Sequence, residues 1–212
     1  MKTLIGKKVG MTNIFDDAGN MIPVTVIEAG PCVVTQLKNL EKDGYNAVQL
    51  GFGEAKKPNR PMVGHTNKSG IASRVLKEFH QNNDLATETE VEGEKVKGLK
   101  VGDKLTLECF SEGDIVSVSG ISKGKGFAGT IKRHNFHRGP KTHGSGNYRE
   151  PGSMGAMFPQ HVMKGKKLPG RMGCDNVTVK SLKVMRIDKE NNIIAVRGAI
   201  PGPKKGIVLI KG

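Results

Sequence analysis

Residues 121–173, ISKGKGFAGTIKRHNFHRGPKTHGSGNYREPGSMGAMFPQHVMKGKKLPGRMG, constrain the fold more than any other part of this chain. Eleven of these 53 residues are Lys or Arg against one acid, Glu150, which places +10 of the protein's +14 net charge in one stretch. Eleven more are Gly and four are Pro, while the aliphatic β-branched residues are reduced to Ile121, Ile131 and Val162. No apolar face recurs at period 2 or 3.6, so the stretch has little with which to build a core. A coil of this length inside a compact domain is functional, disordered, or ordered by something else. Its charge points to a polyanion.

The other 159 of the 212 residues suffice for a self-supporting core. A pI near 9.8 favours nucleic acid or an anionic membrane as partner. Nucleic acid is the better reading, because no basic amphipathic helix is visible and no apolar run approaches the ~20 residues of a membrane span. The N-terminus, MKTLIGKKVGMTNIF, has no long apolar run and no cleavage-like site, so a cytoplasmic location, or synthesis inside an organelle, is expected. Cys32, Cys109 and Cys174 are odd in number, far apart and free of any C-x-x-C, which argues against a disulfide framework and for small, buried or half-buried thiols.

Outside the basic stretch the chain reads as β-structure. Asp17-Ala18-Gly19-Asn20 is a turn, Ile22 to Glu28 a strand, Gly30-Pro31 a break and Cys32 to Leu37 a second strand. Asp43-Gly44 is a hairpin signal leading into Tyr45 to Gly51. Short strands at this spacing indicate a barrel or sandwich. Lys56, Lys57, Arg60 and Lys68 lie in a Pro/Gly-punctuated loop, and Ser73 is placed to cap a short helix through Phe79. Residues 81–118 reverse the charge, nine acids against four lysines, with strands expected over Asp103 to Phe110 and Asp114 to Ser119. The β pattern resumes in Asn176 to Ile187, Ile193 to Val196 and Ile207 to Ile210. The basic stretch thus leaves one strand and returns into another.

Lys123-Gly-Lys-Gly-Phe-Ala-Gly129 contains a G-x-G-x-x-G, and Glu150 lies 21 residues beyond it. A dinucleotide site needs a helix opening at the third glycine and a second parallel strand, but Gly139-Pro140 and Gly144-Ser-Gly146 occupy that place. Glycines between Lys123 and Lys125 that let the backbone approach phosphates closely are the better reading. His134, His137, His143 and His161 suggest phosphate contact or base stacking more than zinc, since Cys174 is the only nearby sulfur. No Ser/His/Asp arrangement with a buried acid is evident, and no cofactor or metal is expected. Phe127, Phe136, Tyr148 and Phe158, four of nine aromatics, interleave with the cations as stacking surfaces for unpaired bases.

Motifs along nearly the whole chain carry a family resemblance. They include Gly6-Lys-Lys-Val-Gly-Met-Thr12, Ile22-Pro-Val-Thr-Val-Ile-Glu28, Asp43 to Gly51, and Gly120 to Gly129 followed by Lys132-Arg133-His134. His143-Gly-Ser145, Pro151-Gly-Ser-Met-Gly155 and Lys164 to Gly173 follow in order. The chain resembles the universal ribosomal protein L3 family of the large ribosomal subunit. It departs from the family at Ser117, usually Asp or Asn, and at Ala156-Met157-Phe158, where some bacterial relatives carry a methylatable glutamine.

The resemblance implies a mainly β protein: a translation-factor-like β-barrel body (1–120 and 174–212), a small α-containing insert at about 54–100, and a long basic arm at 121–173. It implies a non-enzymatic constituent of the large subunit that binds 23S rRNA early in assembly and neighbours other large-subunit ribosomal proteins, with no membrane and no small-molecule substrate. The expected phosphate ligands are Lys123, Lys125, Lys132, Arg133, Arg138, Lys141, His143, Arg149, Lys164, Lys166, Lys167 and Arg171. The tip nearest the peptidyl transferase centre is expected at Gly152, Ser153, Met154, Gly155, Ala156, Met157 and Phe158. A free RNA-binding regulator built on a β-barrel is the alternative. A 53-residue loop that doubles back spans at most roughly 85 Å at ~3.3 Å per residue, far beyond a body with a radius of gyration near ~15 Å. Off its partner, the arm is expected to be disordered.

Overall fold

The computed structural model describes residues 2–16, 18–80, 89–91, 94–96 and 99–212. In chain order the elements are β1 (Thr3–Phe15), β2 (Met21–Ala29), β3 (Cys32–Lys38), α1 (Leu40–Asp43), β4 (Ala47–Glu54), α2 (Arg60–Thr66) and β5 (Ser73–His80). Then come β6 (Thr89–Val91), β7 (Glu94–Val96), β8 (Lys104–Leu105), β9 (Ile115–Ile121), β10 (Phe127–Ala128), α3 (Thr130–His134) and β11 (Gly170–Arg171). The last three are β12 (Asn176–Asp188), β13 (Ile193–Arg197) and β14 (Ile207–Lys211). The chain divides into two compact units, Met1–Ile121 with Asn176–Gly212, and Ser122–Asp175.

The first unit is mainly β, built on a closed barrel in the order β1-β14-β9-β12-β13-β2. Period-2 alternation makes it. Val116 and Val118, Ile194 and Val196, and Val208 and Ile210 are buried pairs two residues apart, each pair filling the interior from one strand. Closure pairs each of the six strands with a neighbour on both sides over at least part of its length. A second sheet, β5-β4-β3-β8, contributes Val34, Val48 and Leu50 to the same core cluster as Leu4, Ile27 and Ile210. Lys38 and Glu78 pair at 2.9 Å on this sheet, and Tyr45 Oη donates to Glu78 at 2.9 Å.

Three expectations change. Ser73 to Phe79 is strand β5, paired with β4 from Glu54↔Ser73 to Ala47↔His80, and not a helix. Val75, Leu76 and Phe79 fit a helical face, and only Val75 and Phe79 share a strand face; pairing with an established strand overrides the pattern. The helix of this region is α2 instead, where Asn59 Oδ1 accepts from Met62 N at 3.1 Å and Pro61 opens the first turn. Residues 103–110 form only the two-residue β8 and a 3₁₀ turn at Leu107–Cys109. Asp43-Gly44 closes α1, with Gly44 at φ 78° as its left-handed cap, inside a longer β3–β4 connection. Of the turn expected at 17–20, Asp17 lies outside the described residues, as do 81–88, 92–93 and 97–98 of the acidic stretch.

Cys32 is fully buried and its Sγ sits 3.4 Å from both the amide and the carbonyl of Ile5, while Cys174 is exposed. Desolvation pushes the Cys32 thiol up to about 11. Since thiolate is the reactive form, alkylation at pH 8 is expected to label Cys174 promptly and Cys32 only after denaturation. Equal labelling rates in the native protein would contradict this core.

Candidate nucleic-acid interface

The unit Ser122–Asp175 begins and ends in a ladder that the sequence conceals. Ser122 N donates to Asp175 O at 2.9 Å, Lys125 N to Met172 O at 2.9 Å and Met172 N to Gly126 O at 3.0 Å. β10 then pairs antiparallel with β11 through Phe127↔Arg171 and Ala128↔Gly170. Glycine is required at one point here. Gly173 sits at φ 81°, and a β-carbon there would overlap the Lys123 carbonyl oxygen.

The G-x-G-x-x-G run is therefore one rail of this ladder. A helix does open at its third glycine, with Gly129 as N-cap, contrary to the expectation of none. At five residues, with an antiparallel partner strand, it is not the βαβ setting of a dinucleotide site. α3 holds the returning chain: Arg133 Nη1 donates to Leu168 O at 2.8 Å, and His134 Nε2 lies 3.1 Å from the same oxygen. A β-carbon at Gly170 would come within 2.5 Å of Arg133 Nη1, so the missing side chain makes room for the guanidinium.

Beyond this root, Gly139 N donates to Tyr148 O at 2.9 Å and closes the 139–148 segment. Tyr148 collects cations. Arg138 Nη1 donates to its hydroxyl at 3.2 Å, and Lys141 Nζ lies 5.3 Å from the ring centroid. The 152–160 segment turns on Gly152 at φ 79° and Gly155 at φ 146°, with Ser153 Oγ 3.3 Å from both Gly155 N and Gly155 O.

Lys123, Lys125, Lys132, Arg133, Arg138, Lys141, His143, Arg149, Lys164, Lys166, Lys167 and Arg171 are all exposed. None is ion-paired: the pairs among the described residues, Lys2–Asp114, Lys7–Glu28 and Lys38–Glu78, all lie in the first unit. Arg133 and Arg138 also hold structure, through Leu168 and Tyr148. The expected stacking aromatics divide: Phe127 and Phe158 are 78% and 75% exposed, whereas Phe136 and Tyr148 are half-buried. The charge pattern gave no sign of the apolar surface at 152–163, where Met154, Met157, Phe158, Val162 and Met163 are all exposed. A helical or strand period could not have revealed it, because this segment has neither. Among the described residues, no three His, Cys, Asp or Glu side chains gather as a metal site, and no helix is long and apolar enough to cross a membrane.

Fold and module together define a class: a mainly β protein with a closed barrel, interrupted between two paired strands by a polycationic segment with no ion pairs of its own. The family model described as Ribosomal protein L3 matches residues 74–192. Proteins called "Large ribosomal subunit protein uL3" are similar over 99% of this chain. The one from Heliobacterium modesticaldum is 50% identical with 96% of its own length covered. Those from Pelotomaculum thermopropionicum and Geobacillus thermodenitrificans are 51% and 49% identical, with 96% and 95% covered. The chain belongs to the Ribosomal protein L3 family.

Proposed function

We propose that this chain is a structural, non-enzymatic constituent of the large ribosomal subunit in the cytoplasm, that it binds 23S rRNA during early assembly, and that the segment 121–173 is its rRNA-penetrating arm. The observation that carries this is the arm's full set of eleven Lys and Arg, all exposed and without ion pairs, in a family whose relatives are named for the large subunit. Cations held in the open without partners are matched to an external polyanion. Phosphate contacts position such an arm, and the exposed rings of Phe127 and Phe158 offer faces to unpaired bases. The neighbours would be rRNA and other large-subunit proteins.

Sedimentation separates this reading from a free RNA-binding regulator. The native chain is expected to co-migrate with large subunits through a sucrose gradient, and recovery mainly in the soluble fraction would overturn the proposal.

The tip is assigned to Gly152–Phe158, facing the peptidyl transferase centre. Its side chains support no part of the barrel core. Substituting Gly155, Ala156, Met157 and Phe158 is therefore expected to alter peptidyl transfer or sensitivity to drugs of that centre, with the melting of the free protein unchanged. Mutant ribosomes with wild-type translation and drug response would remove the tip assignment.

A further inference from the structure

The barrel has one strand that outgrows it. β14 accompanies β1 only from Thr3↔Lys211 to Lys7↔Ile207, and Lys8 completes that side through Gly206 O and Lys205 N at 2.9 and 2.7 Å. Past a bulge at Val9, β1 runs on to Phe15 with β2 as its sole partner among the described residues. Pro23, opposite Asn13, has no N–H, so Asn13/Pro23 is a non-hydrogen-bonded pair. Pro23 O accepts instead from Gly198 N, on the side away from β1, at 2.9 Å. Alternation puts Met11/Thr25 and Phe15/Met21 in the same class. The amides and carbonyls of Met11, Asn13 and Phe15 therefore point out of the sheet, and among the described residues none has a hydrogen-bond partner there.

We infer that this open edge, Met11 to Phe15, takes an extended segment of another protein as an added strand, with a lysine or arginine of that segment beside Asp16. Alternating outward donors and acceptors are the template for strand addition. The surroundings select polypeptide over nucleic acid. Val9, Met11 and Phe15 are 49%, 52% and 72% exposed, an apolar strip along the edge strand that an added strand would pack beside. Residues 9–26 carry Asp16 and Asp17 and no Lys or Arg, in a chain of net charge +14. Lys204 approaches the Gly10 end, 3.8 Å from where a β-carbon on Gly10 would stand, but the Asp16 end is the wrong sign for phosphate and the right one for a basic protein tail. On the other face, Thr12 and Ile14 border a groove lined also by Val24, Val26, Ile193 and Ala195 and, in equal numbers of each sign, by Arg186, Lys189, Asp188 and Glu190; it would receive alternate side chains of the incoming strand. Asp16 is fixed at the turn, accepting from Asn20 N at 2.7 Å and Ala18 N at 3.1 Å. The inference deepens the ribosomal reading by naming what a neighbouring protein would contribute, and the sedimentation experiment above fails independently of it.

The test uses the full-length chain carrying a photoreactive phenylalanine analogue at Phe15, expressed in cells and irradiated within purified large subunits. Adducts are expected on one polypeptide segment, at consecutive alternate residues, with a Lys or Arg at its Asp16 end. Asn13→Pro removes an outward donor that β2 does not use, so it is expected to abolish the adduct while leaving melting within a few degrees. Residue-level hydrogen exchange is the companion measurement. In the free chain the Met11, Asn13 and Phe15 amides are expected to exchange at least tenfold faster than those of Thr12 and Ile14. The synthetic peptide Lys-Thr-Val-Thr-Val-Thr-Val-Lys is expected to slow the fast set at least tenfold, and its Glu-for-Lys counterpart is not. Adducts on rRNA, on a second copy of this chain or nowhere, or uniform exchange along 11–15, would overturn the inference.

Discussion

Alanine at Lys123, Lys125, Lys132, Lys164, Lys166 and Lys167 together is expected to weaken binding to 23S rRNA by about three to four orders of magnitude at ~0.15 M salt. These six are exposed and, among the described residues, have no ion pair, ring contact or side-chain hydrogen bond, so their truncation removes no observed support. Arg133 and Arg138 are left in place because they hold Leu168 O and the Tyr148 hydroxyl. Each neutralised phosphate contributes about 0.7–0.9 to the slope of log affinity against log salt, so about eight contacts give a slope near −6 to −7 and the variant's falls to about −2. Filter binding across salt concentrations reads both numbers. An unchanged slope would mean that the arm's lysines do not meet phosphate.

Gly51→Ala is expected to destabilise the body by ~3 kcal/mol, the upper range for overpacking, and to lower its melting temperature by roughly 6–12 °C for a domain of this size. A β-carbon on Gly51 would lie 2.6 Å from Ser73 Cβ, overlap the Ser73 hydroxyl, and approach Thr35 Cγ2 at 3.0 Å. Ser73 sits on β5, so relief requires β4 and β5 to part and disturbs a sheet that shares the core with the barrel. Ser73→Gly in the same chain is expected to recover most of the loss. Failure of that rescue, or a neutral Gly51→Ala, would show that β5 does not pack on β4 in this register.

Much of this architecture is written in short-range pattern. Ile22–Glu28, Asn176–Ile187 and Ile207–Ile210 read as strands because one face of each must be apolar for the barrel to fill, and that requirement repeats every second residue. Ser73–Phe79 misleads because Val75, Leu76 and Phe79 are spaced as on one helix face, and the partner that overrides this, β4, pairs with it across 19 to 33 residues of sequence. The root of the 122–175 unit was hidden for another reason. Its ladder joins 125–128 to 170–172 through backbone atoms of two short, Gly- and Lys/Arg-containing runs that show no period-2 apolar face. Eleven of the twelve expected contact residues stand out in the sequence by their charge, but which of them also support the local structure does not. Arg133 doubles as a strut only because Gly170 leaves space for it. The open edge of β1 was equally silent: it follows from a proline on β2 and from where β14 stops.

The central claim, that residues 121–173 are an arm for ribosomal RNA, is tested most directly by ultraviolet crosslinking in living cells with both crosslinked partners mapped. The account predicts adducts to 23S rRNA concentrated between Lys123 and Arg171, including Phe127 and Phe158, with few or none on residues 9–26. Adducts to other RNAs, or to 23S rRNA only through the barrel, would contradict it.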